Sequence, residues 1–401
     1  MTALAYAALW FFIFAVPWEN IIVVPGLGTI SRVMGIIALG FVLMAVLITG
    51  RLRRLQFFHA AALLFVIWAG LSVFRTGDET RAITKFITYF QLLLVLWMIW
   101  ELASNFRRVQ GLFFAYVCGA YVAAFNTIIG YRGGLHVAKA ASRFAAEGFD
   151  PNDLGMTLAL ALPMAWYLGM TYRQPLLRWV CRLYIPMGLV AIGLTASRGA
   201  LIASIIALLI VPMTMSQLSP GKIAAAIILL FASGAVAVAY IPATSWQRFA
   251  TTRTQVESGT MNSRVTIWKE GFKAFSKAPI VGYGTSSFNW TVHSQAHNSY
   301  LAVLVEQGLV GFVFFAMIFI AVLIKVLKMP KMERRFALVL FATVSVAILP
   351  LSWDDRKPVW VILALLTSLA GVLATSALNY QTVAQRIPRR AEVFARQPAS
   401  P

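Results

Sequence analysis

The stretch SRVTIWKEGFKAFSKAPIVGYGTSSFNWTVHSQAHNSYL, residues 263–301, is the longest polar interruption in an otherwise apolar chain. It gathers cations, glycines and aromatic residues, and it holds two of the four histidines, His293 and His297. It then runs directly into an apolar segment long enough to cross a bilayer as a helix. A polar segment at the mouth of a membrane helix predicts a site of recognition or chemistry.

The composition around this stretch indicates a membrane protein. Of 401 residues, 60% are hydrophobic and 12% are charged, and the mean hydropathy is +0.78. The apolar runs approach the roughly 20 residues that a helix needs to cross hydrocarbon, and they are too continuous for barrel strands. We therefore predict an all-α, polytopic integral membrane protein. Cys118 and Cys181 fall in or beside different spans, which favours neither a disulfide framework nor a metal site.

Hydropathy predicts about twelve spans in a single transmembrane domain, residues 1–380. One long outer loop, residues 242–297, interrupts them, and a basic tail, residues 381–401, follows. Residues 4–24 lack the basic start and cleavage site of a signal peptide, so we predict a retained first span. The predicted spans are 4–24, 30–49, 57–74, 83–101, 110–130, 153–171, 182–197, 199–216, 222–241, 298–325, 335–351 and 358–377.

The cations suggest an orientation for these spans. With both termini in the cytoplasm, 18 of the 34 Lys and Arg residues fall inside and 16 outside, six of them in the long loop. Because the positive-inside rule counts short loops, the comparison is 18 against 10, which favours this orientation. The outer cations are Arg32, Arg75, Arg81, Lys85, Arg132, Lys139, Arg143, Arg198, Arg248, Arg253, Arg264, Lys269, Lys273, Lys277, Arg356 and Lys357.

So many outer cations fit either lipid headgroup contact or an anionic ligand such as a diphosphate, which the planar arginine fork binds well. Nucleic acid is disfavoured despite the formal charge of +20, because the basic residues are divided between two membrane faces. Arg198, in TASRGALIAS, stands between two apolar runs, where a charge is costly unless it faces a polar cavity or snorkels to headgroups.

The sequence of the long loop predicts its secondary structure. Val265, Trp268, Phe272 and Phe275 form an apolar stripe at helical spacing, which indicates an amphipathic helix on the outer leaflet. The turn APIVGYG then returns the chain to the membrane.

Two kinds of titratable residue in the outer segments could carry chemistry. His293 and His297 would share a face if that segment were helical, but with no third ligand nearby in sequence a metal is disfavoured. His297, beside Asn298 at the start of a span, suits general-base chemistry better, since its pKa lies near physiological pH. Asp354 and Asp355, in the last outer turn, could orient a histidine or balance an arginine.

Three motifs, in order, resemble the bacterial O-antigen ligase and O-antigen polymerase superfamily over about residues 140–315. They are SRFAAEGFDPNDLG from Ser142, TASRGALIAS from Thr195, and NSRVTIWKEGFKAFSKAPIVGYGTSSF from Asn262, followed by HNSYLAVLVEQGLVG from His297. The resemblance implies a twelve-span fold in the bacterial inner membrane. It also implies transfer of a glycan from undecaprenyl diphosphate at the periplasmic face, in lipopolysaccharide or exopolysaccharide biosynthesis, to a glycan or lipid A-core acceptor.

The resemblance also implies roles for individual residues. His297 would be catalytic, Arg198, Arg264 and Arg143 would bind the diphosphate, and His293, Asn298, Asp354 and Asp355 could support them. The implied chemistry is inverting and needs neither a metal nor a cofactor. Ligase, chain polymerase and protein-glycosylating members share these motifs, and we lean to a ligase. A transporter or flippase for a lipid-linked sugar is the alternative from another class, although we find no internal repeat of the kind transporters show. A non-catalytic membrane scaffold is the third hypothesis.

Overall fold

A computed structural model describes residues 1–134, 143–251 and 263–386, with side chains up to residue 376. Over these residues the fold is helical apart from one two-stranded hairpin, as the sequence predicted. The strands are β1 (Val23–Val24) and β2 (Gly28–Thr29), which pair antiparallel. The helices are α1 (Thr2–Ala15), α2 (Ile30–Thr49), α3 (Phe57–Ser72), α4 (Glu79–Leu102), α5 (Phe106–Arg132), α6 (Pro151–Thr171), α7 (Pro175–Leu194), α8 (Arg198–Leu208), α9 (Ile210–Met215), α10 (Pro220–Tyr240), α11 (Ala243–Ala250), α12 (Arg264–Lys277), α13 (Phe288–Val292), α14 (Ser299–Leu327), α15 (Lys331–Ala347) and α16 (Lys357–Arg386).

Each of the twelve predicted spans overlaps a helix, and ten helical segments of the described chain are long and apolar enough to cross a membrane. The predicted spans 4–24 and 335–351 correspond to shorter helices, Thr2–Trp18 and Lys331–Ala347. The prediction for the first span was too long: α1 and a following 3₁₀ turn stop at Trp18, because the chain turns at the buried carboxylate of Glu19. Ser31 and Lys357 both bind that carboxylate, which ties the turn to α2 and α16. Most of the predicted basic tail, from residue 387, lies outside the described residues.

Helix α6 forms the centre of the bundle and is buried along nearly its whole length against α5, α7 and α8. Helices α6, α7 and α9 each contain a proline after their first two residues. Pro163 lies inside α6 and Pro186 inside α7. Pro212, which lacks an N–H, explains the break between α8 and α9, since it cannot donate to the carbonyl of Leu208.

Helix α14 contains the most important irregularity of the bundle. Gly308 has φ 64° and ψ −168°, so the helix is broken after two turns. The segment 279–284 fills the break: Tyr283 N–H donates to Val305 O at 3.0 Å, and Leu309 N–H donates to Pro279 O at 2.8 Å. The turn APIVGYG therefore packs against α14, a helix long and apolar enough to span a membrane, and its backbone satisfies the polar groups that the break exposes.

Helix α12 is the predicted amphipathic helix of the long loop, and its inner face packs on the protein. Trp268 and Phe275 contact a small cluster with Leu301 of α14, while Phe272 is exposed. Gly271 lies at the closest approach, where a Cβ would come within 2.9 Å of the Leu301 side chain. The first half of α14 and α12 thus form one unit, and the segment that carries both histidines lies between them.

Candidate functional site

A polar cavity of about 450 Å³ opens where α14 begins. Segments distant in sequence line it: the start of α6, the chain before α14, and the turn between α15 and α16. Its wall includes His297 together with the predicted Asp354 and Asp355. Its lining residues are Lys85, Asp150, Asn152, Asp153, Ser286, Phe288, Asn289, Gln295, Ala296, His297, Ala302, Glu306, Leu351, Ser352, Asp354, Asp355 and Arg356.

Hydrogen bonds at His297 and at its two chain neighbours fix this part of the wall. Its N–H donates to Ser352 Oγ at 3.1 Å, and its φ of 43° lies in the left-handed region that side chains rarely adopt. Asn298 caps α14 by accepting a hydrogen bond from Leu301 N–H at 3.1 Å, so the Asn of the HN pair starts the helix. The Trp268 indole donates to Ala296 O at 3.1 Å and holds the chain from the other side.

The environment of His297 favours the neutral form of its imidazole. Burial lowers its pKa below the usual value, and the nearby positive charge of Arg264 lowers it further, while the carboxylate of Asp150 opposes both. A neutral imidazole has a free lone pair at neutral pH. His297 is therefore in the form that can accept a proton.

Four arginines gather beside this wall, and we call Arg143, Arg198, Arg248 and Arg264 the arginine cluster. Burial lowers the pKa of Arg143 to about 10, and the charges of Arg248, Arg264 and Arg198 contribute to the decrease. Burial also lowers the pKa of Arg264, and Arg198 adds to that effect against the opposing charge of Asp150. The four positive charges therefore lie close to one another, with Asp150 near Arg143 and Arg264, and Arg264 near His297.

The backbone and side chains of neighbouring loops hold the cluster in place. Arg143 is buried, donating from Nε to Thr195 O at 2.9 Å and from Nη2 to Asn152 Oδ1 at 2.8 Å. Arg198 begins α8 and donates from Nε to Arg248 O at 3.0 Å and from Nη2 to Thr251 Oγ1 at 2.9 Å. These bonds orient the guanidinium groups of Arg143 and Arg198 before any ligand arrives, and such preorganisation strengthens anion binding.

A buried ion-pair network forms the floor of the cavity. Lys85 Nζ lies 2.8 Å from both Glu306 Oε2 and Asp354 Oδ2, and the Tyr89 hydroxyl donates to Asp354 Oδ2 at 2.5 Å. Ser286 N–H donates to Glu306 Oε2 at 3.0 Å. Burial by itself raises the pKa of Asp354, but the Lys85 charge and the Tyr89 hydrogen bond outweigh it and hold that pKa below the usual value.

The structure brings together most of the residues singled out from sequence. His297, Asp354 and Asp355 line the cavity, and Arg143, Arg198 and Arg264 belong to the adjacent cluster. Asp354 binds Lys85 and Tyr89 rather than a histidine or an arginine, whereas Asp355 lies 4.0 Å from Arg356 Nε.

His293 is the candidate that the structure places elsewhere. It is exposed at the end of α13, and the segment from His293 to His297 is not helical, so the two histidines do not share a helix face.

Sequence reasoning missed the participation of Lys85, Glu306 and Arg248. A signal for Glu306 was available, because an ionisable residue inside an apolar span is a functional candidate by default. Arg248 was counted among the outer cations, but nothing in its local sequence distinguishes it.

The fold and the site define a polytopic helical membrane protein with a histidine and an arginine cluster at one end of its bundle. Residues 183–316 match the family model described as O-antigen ligase. The match supports the O-antigen ligase and polymerase superfamily and confirms the resemblance seen in the motifs. It spans Arg198, Arg248, Arg264 and His297, while Arg143, Asp354 and Asp355 lie outside it. No curated protein matches the chain.

Proposed function

We propose that this protein is a membrane glycosyltransferase that moves a glycan from undecaprenyl diphosphate to an acceptor hydroxyl at the periplasmic face of the bacterial inner membrane. The observation that carries the proposal is the adjacency of two features: His297 in the wall of a polar cavity and the arginine cluster next to it. The first suits deprotonation of a hydroxyl, and the second suits a departing diphosphate.

The arginine cluster would bind the donor diphosphate. Arginine remains charged when it is partly desolvated, and its fork matches two phosphate oxygens at once. Negative charge on the diphosphate grows as its bond to the sugar breaks, so preorganised cations stabilise the transition state more than the ground state. We propose that this stabilisation replaces the metal ion that other enzymes of this chemistry use.

His297 would act on the acceptor. Its imidazole accepts the proton of the acceptor hydroxyl while the hydroxyl oxygen attacks the anomeric carbon. The bond between that carbon and the diphosphate oxygen breaks on the opposite side, and the electron pair leaves with the diphosphate. A single displacement of this kind inverts the anomeric configuration. No other energy source is required, since the donor bond is already activated.

The identity of the acceptor distinguishes a ligase from a chain polymerase. We favour a ligase, which transfers a finished chain to lipid A-core or another glycan, with a chain polymerase as the alternative. Chemical analysis of the surface polysaccharide of a deletion strain separates the two. Long chains that are not attached to an acceptor support a ligase, whereas single units that are attached but not extended support a polymerase.

A transporter or flippase for the same lipid-linked sugar is the candidate from another class. Transporters place their binding sites near the bilayer midplane between repeats. Here Arg198 and Arg264 begin α8 and α12, and His297 immediately precedes the cap of α14, which favours an enzyme working at the membrane surface. Purified protein in vesicles should release undecaprenyl diphosphate when donor and acceptor are both supplied. Movement of the lipid-linked sugar across the vesicle without that release would contradict our proposal.

A further inference from the structure

We propose that the polar cavity is the acceptor subsite and that it selects neutral or amino sugars over sugars carrying a carboxylate or phosphate. This inference rests on the proposed function and concerns which substrate occupies which half of the site. It starts from the distribution of charge, which is opposite in the cavity and in the arginine cluster.

The wall of the cavity is acidic although the chain as a whole carries a formal charge of +20. Among the described residues that line it, five carboxylates face two permanent cations, Lys85 and Arg356. The arginine cluster next to it has the reverse balance, with Asp150 as the shared acidic neighbour. A diphosphate would be attracted to the cluster and repelled by the cavity, which leaves the cavity to the other substrate.

The carboxylates differ in what they can offer a ligand. Asp354 already forms an ion pair with Lys85 and accepts a hydrogen bond from Tyr89. Glu306 already forms an ion pair with Lys85 and accepts a hydrogen bond from Ser286 N–H. Asp355 is different: 30% of its side chain is exposed, and its Oδ1 lies 4.0 Å from Arg356 Nε, beyond hydrogen-bond distance. Asp355 is therefore the carboxylate best placed to accept hydrogen bonds from a hydroxyl or an amine.

The rest of the cavity also fits a sugar. Asn289, Gln295, Ser286 and Ser352 also line the cavity, and their neutral amides and hydroxyls can both donate and accept hydrogen bonds. The volume of about 450 Å³ lies within the range of small-ligand sites. A polyol at His297 would present a hydroxyl to the imidazole and its other hydroxyls to these groups. An anionic sugar would instead be repelled by the carboxylate of Asp355.

Three phenyl glycosides of one ring shape test this selectivity: the glucoside, the glucosaminide and the glucuronide. Purified protein is supplied with an undecaprenyl-diphosphate-linked oligosaccharide, and transfer to each glycoside is measured. We expect kcat/KM for the glucuronide to be lower than for the glucosaminide by about tenfold or more, which is 1.4 kcal/mol or more of discrimination. In Asp355→Asn this ratio should shrink, chiefly through KM for the acceptor. Glu270→Gln, which removes an exposed carboxylate of α12, should leave the ratio unchanged.

A binding measurement keeps the inference independent of turnover. Asn289→Cys places a thiol in the cavity wall, and its labelling by a neutral maleimide is followed at that residue by mass spectrometry. The glucosaminide and the glucoside should protect the thiol at lower concentrations than the glucuronide. Equal protection by all three, or a glucuronide preference, would overturn the inference. If no glycoside is transferred and no undecaprenyl diphosphate is released, the proposed function fails, while the order of protection still decides the charge preference.

Discussion

At the scale of single residues, His297 connects electrostatics to a measurable pH dependence. Burial and the charge of Arg264 lower its pKa, so the neutral form persists to lower pH than for a free histidine. A general base loses activity when it is protonated, and this occurs as pH falls through the lowered pKa. We predict that the acid limb of kcat/KM lies below the usual histidine value of about 6.5. An acid limb above that value would contradict the assigned environment.

Trp268 offers a second test at this scale, as a positioning residue. Its indole N–H holds the carbonyl of Ala296, next to His297 in the chain. Trp268→Phe keeps an aromatic ring but removes the donor, so we expect kcat to fall by about fivefold, the value of one hydrogen bond, with KM for the donor unchanged. Trp179→Phe, at an exposed site on α7, is the control and should have no effect. A fall in the thermal midpoint with kcat unchanged would indicate a purely structural role.

At the scale of elements, the break in helix α14 positions the turn that leads into the floor of the cavity. Gly282 and Gly308 face each other, and a Cβ on Gly308 would come within 2.3 Å of Ile280 O. Glycine is required here both by the positive φ and by the close backbone approach. The inserted turn continues into Ser286, whose N–H binds Glu306 in the floor of the cavity.

We predict that Gly308→Ala lowers the thermal midpoint in detergent. The backbone strain alone corresponds to about 1–3 kcal/mol, and the steric clash adds to it. Gly234→Ala is a suitable control, since a Cβ there meets no atom within 4 Å. That substitution in a helix interior should be neutral or slightly stabilising. Equal thermal midpoints for the two variants would mean that the insertion is not needed for the fold.

The helices themselves were predictable because hydropathy is a local property that a run of about 20 residues records directly. The break at Gly308 was not, since Gly308 lies within a long, mainly apolar stretch that predicts one continuous helix until the turn 279–284 is known to pack into it. The same holds for Lys85 with Glu306 and Asp354, which lie on three separate segments and meet only in the fold. His297 and Arg264 could be found because both belong to one sequence-local motif region.

At the scale of the whole molecule, successive spanning helices run in opposite directions, which predicts which helix ends lie on the same side of the membrane. The site residues Arg198, His297 and Asp354 lie at or next to helix ends, and these ends share one face of the bundle. We predict that this face is periplasmic. In intact cells, Glu270→Cys on α12 should react with a membrane-impermeant maleimide, whereas Ser104→Cys, in a loop at the opposite ends of α4 and α5, should not. The reverse pattern would overturn the orientation.

The central claim is that His297 carries the chemistry of glycan transfer, and the turnover of purified variants tests it most directly. With an undecaprenyl-diphosphate-linked donor and an acceptor, His297→Ala should lose transfer by at least about 100-fold, the usual contribution of a general base. Its thermal midpoint and donor binding should remain those of the unaltered protein. His293→Ala, at the exposed histidine four residues earlier, should transfer normally. A fully active His297→Ala protein would contradict the account.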